Sequence, residues 1–397
     1  LSDVDLGPTL TVSLRDAALL CRRPARKERP AVLVLVPFLA CGGAEHTLFE
    51  TMRALIDRFD FAIATLAPHR PRLGDRREDF RGITERLYCL GDLVHPDAMV
   101  GILGALLDSL GAEVIYNANS TTLFFDFAPR LKNDRPDLRI IDHLYDHRVG
   151  YIDRYNERTL NFVDTCVAEN NPIAEVLTRE RGWPPSRVSV IWPCGRAHDT
   201  LPSPGSENST RANLRAEFGF TEDDVVFLTA ARMHPQKRPM DLIALAERVR
   251  DLNQVHFLMV GGGDLENVVD AAIVDSGGAH VRRLPFRTDV PELILAADVG
   301  ALVSDFEGLP VFLLECLQLG RPFLGTRVGD LGTVLDETEA GVVVERPGDL
   351  DALEAAVRHL ADPVFRKHLA ENAARAAPRF GVEACADAYA SVFCGAR

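Results

Sequence analysis

Short apolar runs rich in β-branched residues recur along the chain, and between many of them the apolar positions change to a helical spacing. AVLVLVPF (31–38) is the first such run. It is followed by ACGGAEHTLFETMRALIDR, a Gly pair and then apolar residues three and four apart, which predicts strand, Gly-rich turn, helix. FAIATLAP (61–68), EVIYNAN (113–119), RIIDHLYDH (139–147) and TCVAEN (165–170) repeat the strand theme. A second cycle comprises VVFLTAAR (225–232), VHFLMVGGG (255–263), HVRRLPF (280–286), VGALVSD (299–305) and RPFLGTRVG (321–329). Between the cycles, TLPSPGSENSTR (200–211) has no apolar period and predicts a linker or exposed loop. The alternation predicts an α/β protein with parallel sheets in two lobes, 31–199 and 212–375, preceded by an appendage over residues 1–30.

Such sheets bind ligands at the carboxyl ends of their strands. Gly42-Gly43, Arg232 to Lys237, Gly261 to Asp264 and Ser304 to Glu315 all fall just after predicted strands, as candidates for one shared site. In EGLPVFLLE (307–315), Pro310 suits the first turn of a helix whose apolar residues run almost unbroken to Leu319. Glu315 then lies inside that helix, where a carboxylate is costly unless a cation, hydroxyls or solvent meets it. The plain alternative is a thin solvent-facing stripe of Glu315 and Gln318, with Glu307 closing a surface loop.

Gly42-Gly43 lets backbone amides and a helix start approach a phosphate or sugar, or is an ordinary tight turn. Neither it nor Gly261-Gly262-Gly263 completes G-x-G-x-x-G, and no Walker motif occurs, which removes the best evidence for a dinucleotide oxidoreductase or a P-loop phosphotransferase. In ARMHPQKRP, Arg232 and Lys237 suit a diphosphate, or form a solvated basic turn. After a strand core come Asp142, His143, Asp146 and His147; the His143-x3-His147 pair could bind metal if helical, but no third ligand is evident and the segment begins as a strand, so a histidine positioning a sugar hydroxyl or a satisfied structural histidine fits better than a metal site. HRPRLGDRREDFR (69–81) places arginines among acids, as a solvated surface or an acceptor-binding loop.

A length of 397 residues suggests two or three domains. The net charge of −14 argues against nucleic acid as the main partner and against general attraction to anionic lipid. Eight scattered cysteines without C-x-x-C suggest reduced thiols. No apolar stretch approaches the ~18 residues that suggest a membrane span. The expectation is a cytoplasmic protein, at most in peripheral contact with membrane.

Taken in order, GGAE (42–45), ARMHPQKRPMDLI (231–243), VGGGDLE (260–266), AADVGALVSDFEGLP (296–310), the E-x7-E of EGLPVFLLE and GRPFLGTRVGD (320–330) resemble the family 4 retaining glycosyltransferases. VIWPCGRAHD (190–199) is similar to that family's interdomain hinge. The resemblance implies the GT-B fold: two Rossmann-like lobes facing a central cleft, acceptor side first and nucleotide-sugar donor side second, with a C-terminal helix of about 376–397 completing the first lobe. It implies that Arg232 and Lys237 hold the donor diphosphate, Glu307 the sugar hydroxyls and Glu315 the ribose. Backbone from Phe306 through Gly308, Leu309 and Pro310 would face the sugar, Gly42 and Gly43 the donor phosphate, and Gly262 would line the donor site. Phe286 would lie beside the nucleobase. His143 takes the place of the active-site histidine, with His147 as the alternative alignment. The family departures are Asp330 for a Gly, Thr333 for a Glu and Arg238 for a Gly. The implied reaction is metal-free transfer with retention to a hydroxyl acceptor, with no cofactor beyond the donor. A GT-B nucleotide-sugar epimerase and a catalytically silent nucleotide-sugar-binding subunit are the alternatives.

Overall fold

A computed structural model describes residues 29–118, 123–145, 151–196, 201–202, 205–278 and 280–395. Asp146, His147, most of the predicted 1–30 appendage and residues 197–199 of the predicted hinge lie outside the described residues. The chain divides into two compact units, Leu1–Trp192 with Cys385–Arg397, and Pro193–Ala384. The break therefore precedes the predicted linker.

The first unit is built on seven parallel strands: β1 (Ala31–Val36), β2 (Asp60–Thr65), β3 (Leu87–Tyr88), β4 (Val114–Ala118), β5 (Arg139–Leu144), β6 (Thr165–Ala168) and β7 (Val188–Val190). Their spatial order is β3-β2-β1-β4-β5-β6-β7. All six residues of β1 are buried, because a central parallel strand is covered on both faces and so reads as one apolar run. β3 and β7 escape a reading based on periodicity because they contain only two and three residues. The final helix, Val382–Cys394, sends Tyr389 and Phe393 against Tyr116, and Phe393 also against Phe59 and Phe61. Arg139 donates to the carbonyls of Val392 and Phe393, satisfying acceptors that the helix end leaves open.

The second unit holds six parallel strands: β8 (Val225–Ala230), β9 (Val255–Val260), β10 (Val281–Leu284), β11 (Val299–Leu302), β12 (Phe323–Thr326) and β13 (Gly341–Val344), ordered β10-β9-β8-β11-β12-β13. Residues 207–211 of the predicted linker are instead the start of a helix, Glu207–Phe218. Its polarity misleads because its arginines serve the interior. Arg211 donates to the carbonyls of Leu295, Ala296 and Ala297, and fully buried Arg215 to Ala296; both pair with Asp298. They satisfy the open carbonyl end of the helix Val290–Ala296.

The order of strands reverses between β1 and β4 in the first sheet and between β8 and β11 in the second. Beyond the carboxyl ends of these strands, loops diverge and leave room for a ligand. No helix among the described residues is long and apolar enough to cross a membrane.

Candidate functional site

In the second unit, the loop after β8 is tied to the loop after β9. Met233 N–H donates to the Gly262 carbonyl (2.9 Å) and Leu265 N–H to the Met233 carbonyl (2.9 Å). Gly261 and Gly263 have φ of 138° and 146°, and a Cβ on them would lie 2.1 Å from the Ala231 oxygen and 2.7 Å from the Met233 oxygen. The glycine run thus serves close backbone packing. Arg232 leaves this packed loop exposed, and among the described residues no carboxylate pairs with it.

Residues Pro235–Lys237 form one 3-10 turn, and Arg238 follows with φ 48° and ψ 50°. This left-handed conformation costs a residue with a Cβ about 1–2 kcal/mol, which explains why the family favours Gly there. Arg238 is held by Asp241 (2.7 Å) and Asp305 (2.9 Å). The turn also fastens the loop after β11: Gln236 Nε2 donates to the Phe306 carbonyl (2.8 Å), and Asp305 N–H to the Gln236 carbonyl (2.8 Å). Lys237 Nζ then reaches both oxygens of Glu307, at 2.5 and 2.6 Å, and Ser304 Oγ donates to Oε1 at 2.5 Å. Gly308 is fixed from behind, where its carbonyl accepts from Asp330 N–H (3.0 Å). Gly329, at φ 53°, allows that approach, since its Cβ would fall 1.9 Å from the Gly308 oxygen. Leu309 and Pro310 are buried. Pro310 precedes the helix instead of opening it: at ψ 124° its backbone is extended, and the helix runs Val311–Gln318.

Glu315 is 5% exposed in that helix, and a cation meets it. Arg196 Nε donates to Glu315 Oε1 at 2.6 Å. Burial pushes the Glu315 carboxyl up, against the pull of Arg196. Gln318 faces the same segment instead of solvent: its Oε1 accepts from Arg196 N–H (2.8 Å) and its Nε2 donates to the Arg196 carbonyl (3.0 Å). Gly195 is required beside it, since a Cβ would lie 2.0 Å from Gln318 Oε1. Arg196, Ser304 and Gln236 escape a sequence reading because each acts through a residue distant in the chain or through backbone. Phe286, 63% exposed, projects just past β10.

In the first unit, Gly42 caps the helix Gly43–Leu55 in an extended conformation (φ −151°) without a side-chain hydrogen bond. Val36, Pro37, Phe38, Ala44, Glu45, Leu48, Ala118 and Tyr145 line a cleft beside it. Burial raises the Glu45 carboxyl, opposed by a backbone amide and by Arg76. His143 does not open into this cleft. Its side chain has no exposed surface, Nδ1 meets the hydroxyls of Tyr116 (2.8 Å) and Tyr389 (3.2 Å), and Nε2 lies 3.0 Å from the Glu169 carboxylate. The ring stacks on Tyr145 at 3.9 Å. His143 is therefore buried beneath the last helix, which covers its face of β5, and its Nε2 makes no hydrogen bond among the described residues despite its nearness to Glu169. Neighbouring Asp142 points elsewhere and is bonded by Asn117 and Tyr155. Among the described residues no group of three or more His, Cys, Asp or Glu gathers as a metal site.

The structure thus brings Arg232 beside Gly262, and joins Lys237, Glu307, Phe306 and Gly308 in one bonded cluster. Glu315 sits on the following helix with its own cation. The family model for Glycosyl transferases group 1 matches residues 210–376, the stretch that carries this cluster. Residues 210–376 thus form a group 1 glycosyl transferase region. Among curated relatives, the chain is 27% identical over 189 residues to alpha-D-kanosaminyltransferase of Streptomyces kanamyceticus, covering 46% of the chain and 48% of the relative. It is 30% identical over 250 residues to a D-inositol 3-phosphate glycosyltransferase of Saccharomonospora viridis, covering 60% and 57%. The matches span about half the length of these relatives. The solved structure of Anabaena HepE in complex with UDP superposes with a TM-score of 0.75 at 19% identity, over 92% of this chain and all of that one. The fold is GT-B, with two Rossmann-like lobes.

Proposed function

We propose that this chain transfers a sugar from a nucleotide-diphosphate sugar to a hydroxyl acceptor, with retention and without a metal ion. The observation that carries the reading is that the loops after β8 and β11 carry both an exposed Arg232, with which no carboxylate among the described residues pairs, and the bonded Lys237–Glu307–Ser304 cluster. Arg232 and Lys237 receive the diphosphate, where a forked guanidinium and a compact ammonium meet different oxygens. Their charge offsets the negative charge that grows on the leaving diphosphate. Glu307 turns to the sugar hydroxyls, and the second carboxylate oxygen of Glu315 accepts from ribose while Arg196 holds the first. A donor phosphate oxygen takes the proton of the incoming hydroxyl on the face that the diphosphate leaves, which gives retention.

The two named relatives are sugar transferases, and HepE holds UDP, so uridine diphosphate sugars are the first donors to test. Nucleotide sugars are screened by thermal shift, and hits are assayed for transfer in chelator with NMR of the product anomer. The expected result is a product of unchanged anomeric configuration. An inverted product, or activity lost in chelator and restored by magnesium, overturns the reading; product from donor alone points to an epimerase.

A further inference from the structure

Arg238 stands where the family favours a glycine, and the proposed donor chemistry does not use it. Among the described residues only Arg238 and Glu339 take a positive φ without being glycine. Glu339 ends the helix Leu331–Thr338, where a left-handed residue is ordinary. Arg238 instead opens the helix Pro239–Arg248, directly after Lys237. Pro239 disfavours the right-handed alternative at Arg238, so glycine would keep this turn with the least strain. A side chain retained there against backbone strain points to a task for that side chain.

The guanidinium is committed to protein. Nε donates to Asp241 (2.7 Å) and Nη1 to Asp305 (2.9 Å), while Nη2 lies against Gly348 in the loop after β13, where a Cβ would fall 2.6 Å from it. Both carboxylates are tethered to the cation turn. Asp305 N–H donates to the Gln236 carbonyl (2.8 Å), two residues before Glu307, and Asp241 lies in the first turn of the helix that follows Lys237. Their side chains are 44% and 17% exposed. Left unmasked, they would add to Glu307 in offsetting the charge of Lys237 and would repel a diphosphate, since charges at physiological salt act over about 8–10 Å.

We propose that Arg238 is a positioning residue that masks Asp305 and Asp241, and so keeps the positive field of Arg232 and Lys237 open to an incoming diphosphate. It acts through these carboxylates and does not touch the ligand. The inference rests on the transferase reading of the diphosphate site and adds a residue to it.

Arg238→Gly is the informative change, because glycine suits φ 48° and preserves the turn. Calorimetry on the full chain with pyrophosphate and with UDP is expected to show affinity lowered by roughly five-fold or more at about 20 mM salt, the gap from the unaltered protein narrowing at about 500 mM as the carboxylates are screened. Asp305→Asn is expected to restore most of the loss in the Arg238→Gly background, and to gain less in the unaltered protein. A strap that acts only by stiffening the turn gives a loss that neither salt nor Asp305→Asn repairs; that result overturns the proposal, as does unchanged affinity in Arg238→Gly. These outcomes leave the transferase reading standing. Binding of neither anion by the unaltered protein overturns that reading, and this extension with it.

Discussion

Glu307→Gln should tighten the binding of a bare diphosphate while depressing sugar transfer. Without donor, Lys237 spends its charge on Glu307, with its ammonium 2.5 and 2.6 Å from the two oxygens. A phosphate oxygen bound on the other side of the ammonium lies roughly 5 Å from the carboxylate, where like charges at an effective dielectric of about 20 repel by about 3 kcal/mol. The side chains of Lys237 and Glu307 are 16% and 7% exposed, so some solvent screening remains. Discounting for it leaves about 1–2 kcal/mol, or roughly 5- to 30-fold in affinity. Glutamine keeps the shape and still accepts from Ser304. Calorimetry with pyrophosphate and with UDP measures the gain, and kinetics with intact donor measures the loss at the sugar. Lys237→Met provides the opposite control, since it removes the cation. Unchanged or weaker pyrophosphate binding in Glu307→Gln, with the protein folded by circular dichroism, would refute the claim that Glu307 restrains the diphosphate-binding charge.

Asp142 should make the first unit less stable as pH rises. Burial pushes its carboxyl from 3.8 to about 6, so the folded state holds a proton that the unfolded chain has released; the stabilisation is full below about pH 4 and lost through about pH 6, to a total of about 3 kcal/mol. Urea titrations between pH 4 and 7 should show this slope, and Asp142→Asn should flatten it. Arg196→Ala strands the buried Glu315 carboxylate and should cost about 3 kcal/mol, with part recovered by Glu315→Gln in the same background; simple additivity of the two changes in denaturation would count against the pairing. Gly329→Ala forces a Cβ into the Gly308 oxygen and should cost more than ~2 kcal/mol together with turnover. Gly277→Ala, at φ 80° with open space around it, should cost only about 1 kcal/mol and spare activity.

The α/β class and most strand positions were legible in the chain because parallel strands covered on both faces must be apolar along their whole length, a local property that composition records. The E-x7-E stretch, the Arg232–Lys237 turn and the glycine runs were likewise visible, since each falls just after a strand. What partners they take was decided only in three dimensions. Lys237 and Glu307 are 70 residues apart, and Arg196 and Glu315 are 119 apart. The helix at Glu207 looked like a linker because its arginines satisfy carbonyls of a distant helix. His143 looked like a cleft residue because nothing in RIIDHLYDH reveals that a helix beginning at Val382 brings Tyr389 over it. Local pattern determines which segments become strands and which loops sit at their ends. Burial and pairing of charge depend on contacts between segments far apart in the chain, and for these carboxylates, arginines and this histidine only the folded backbone sets them.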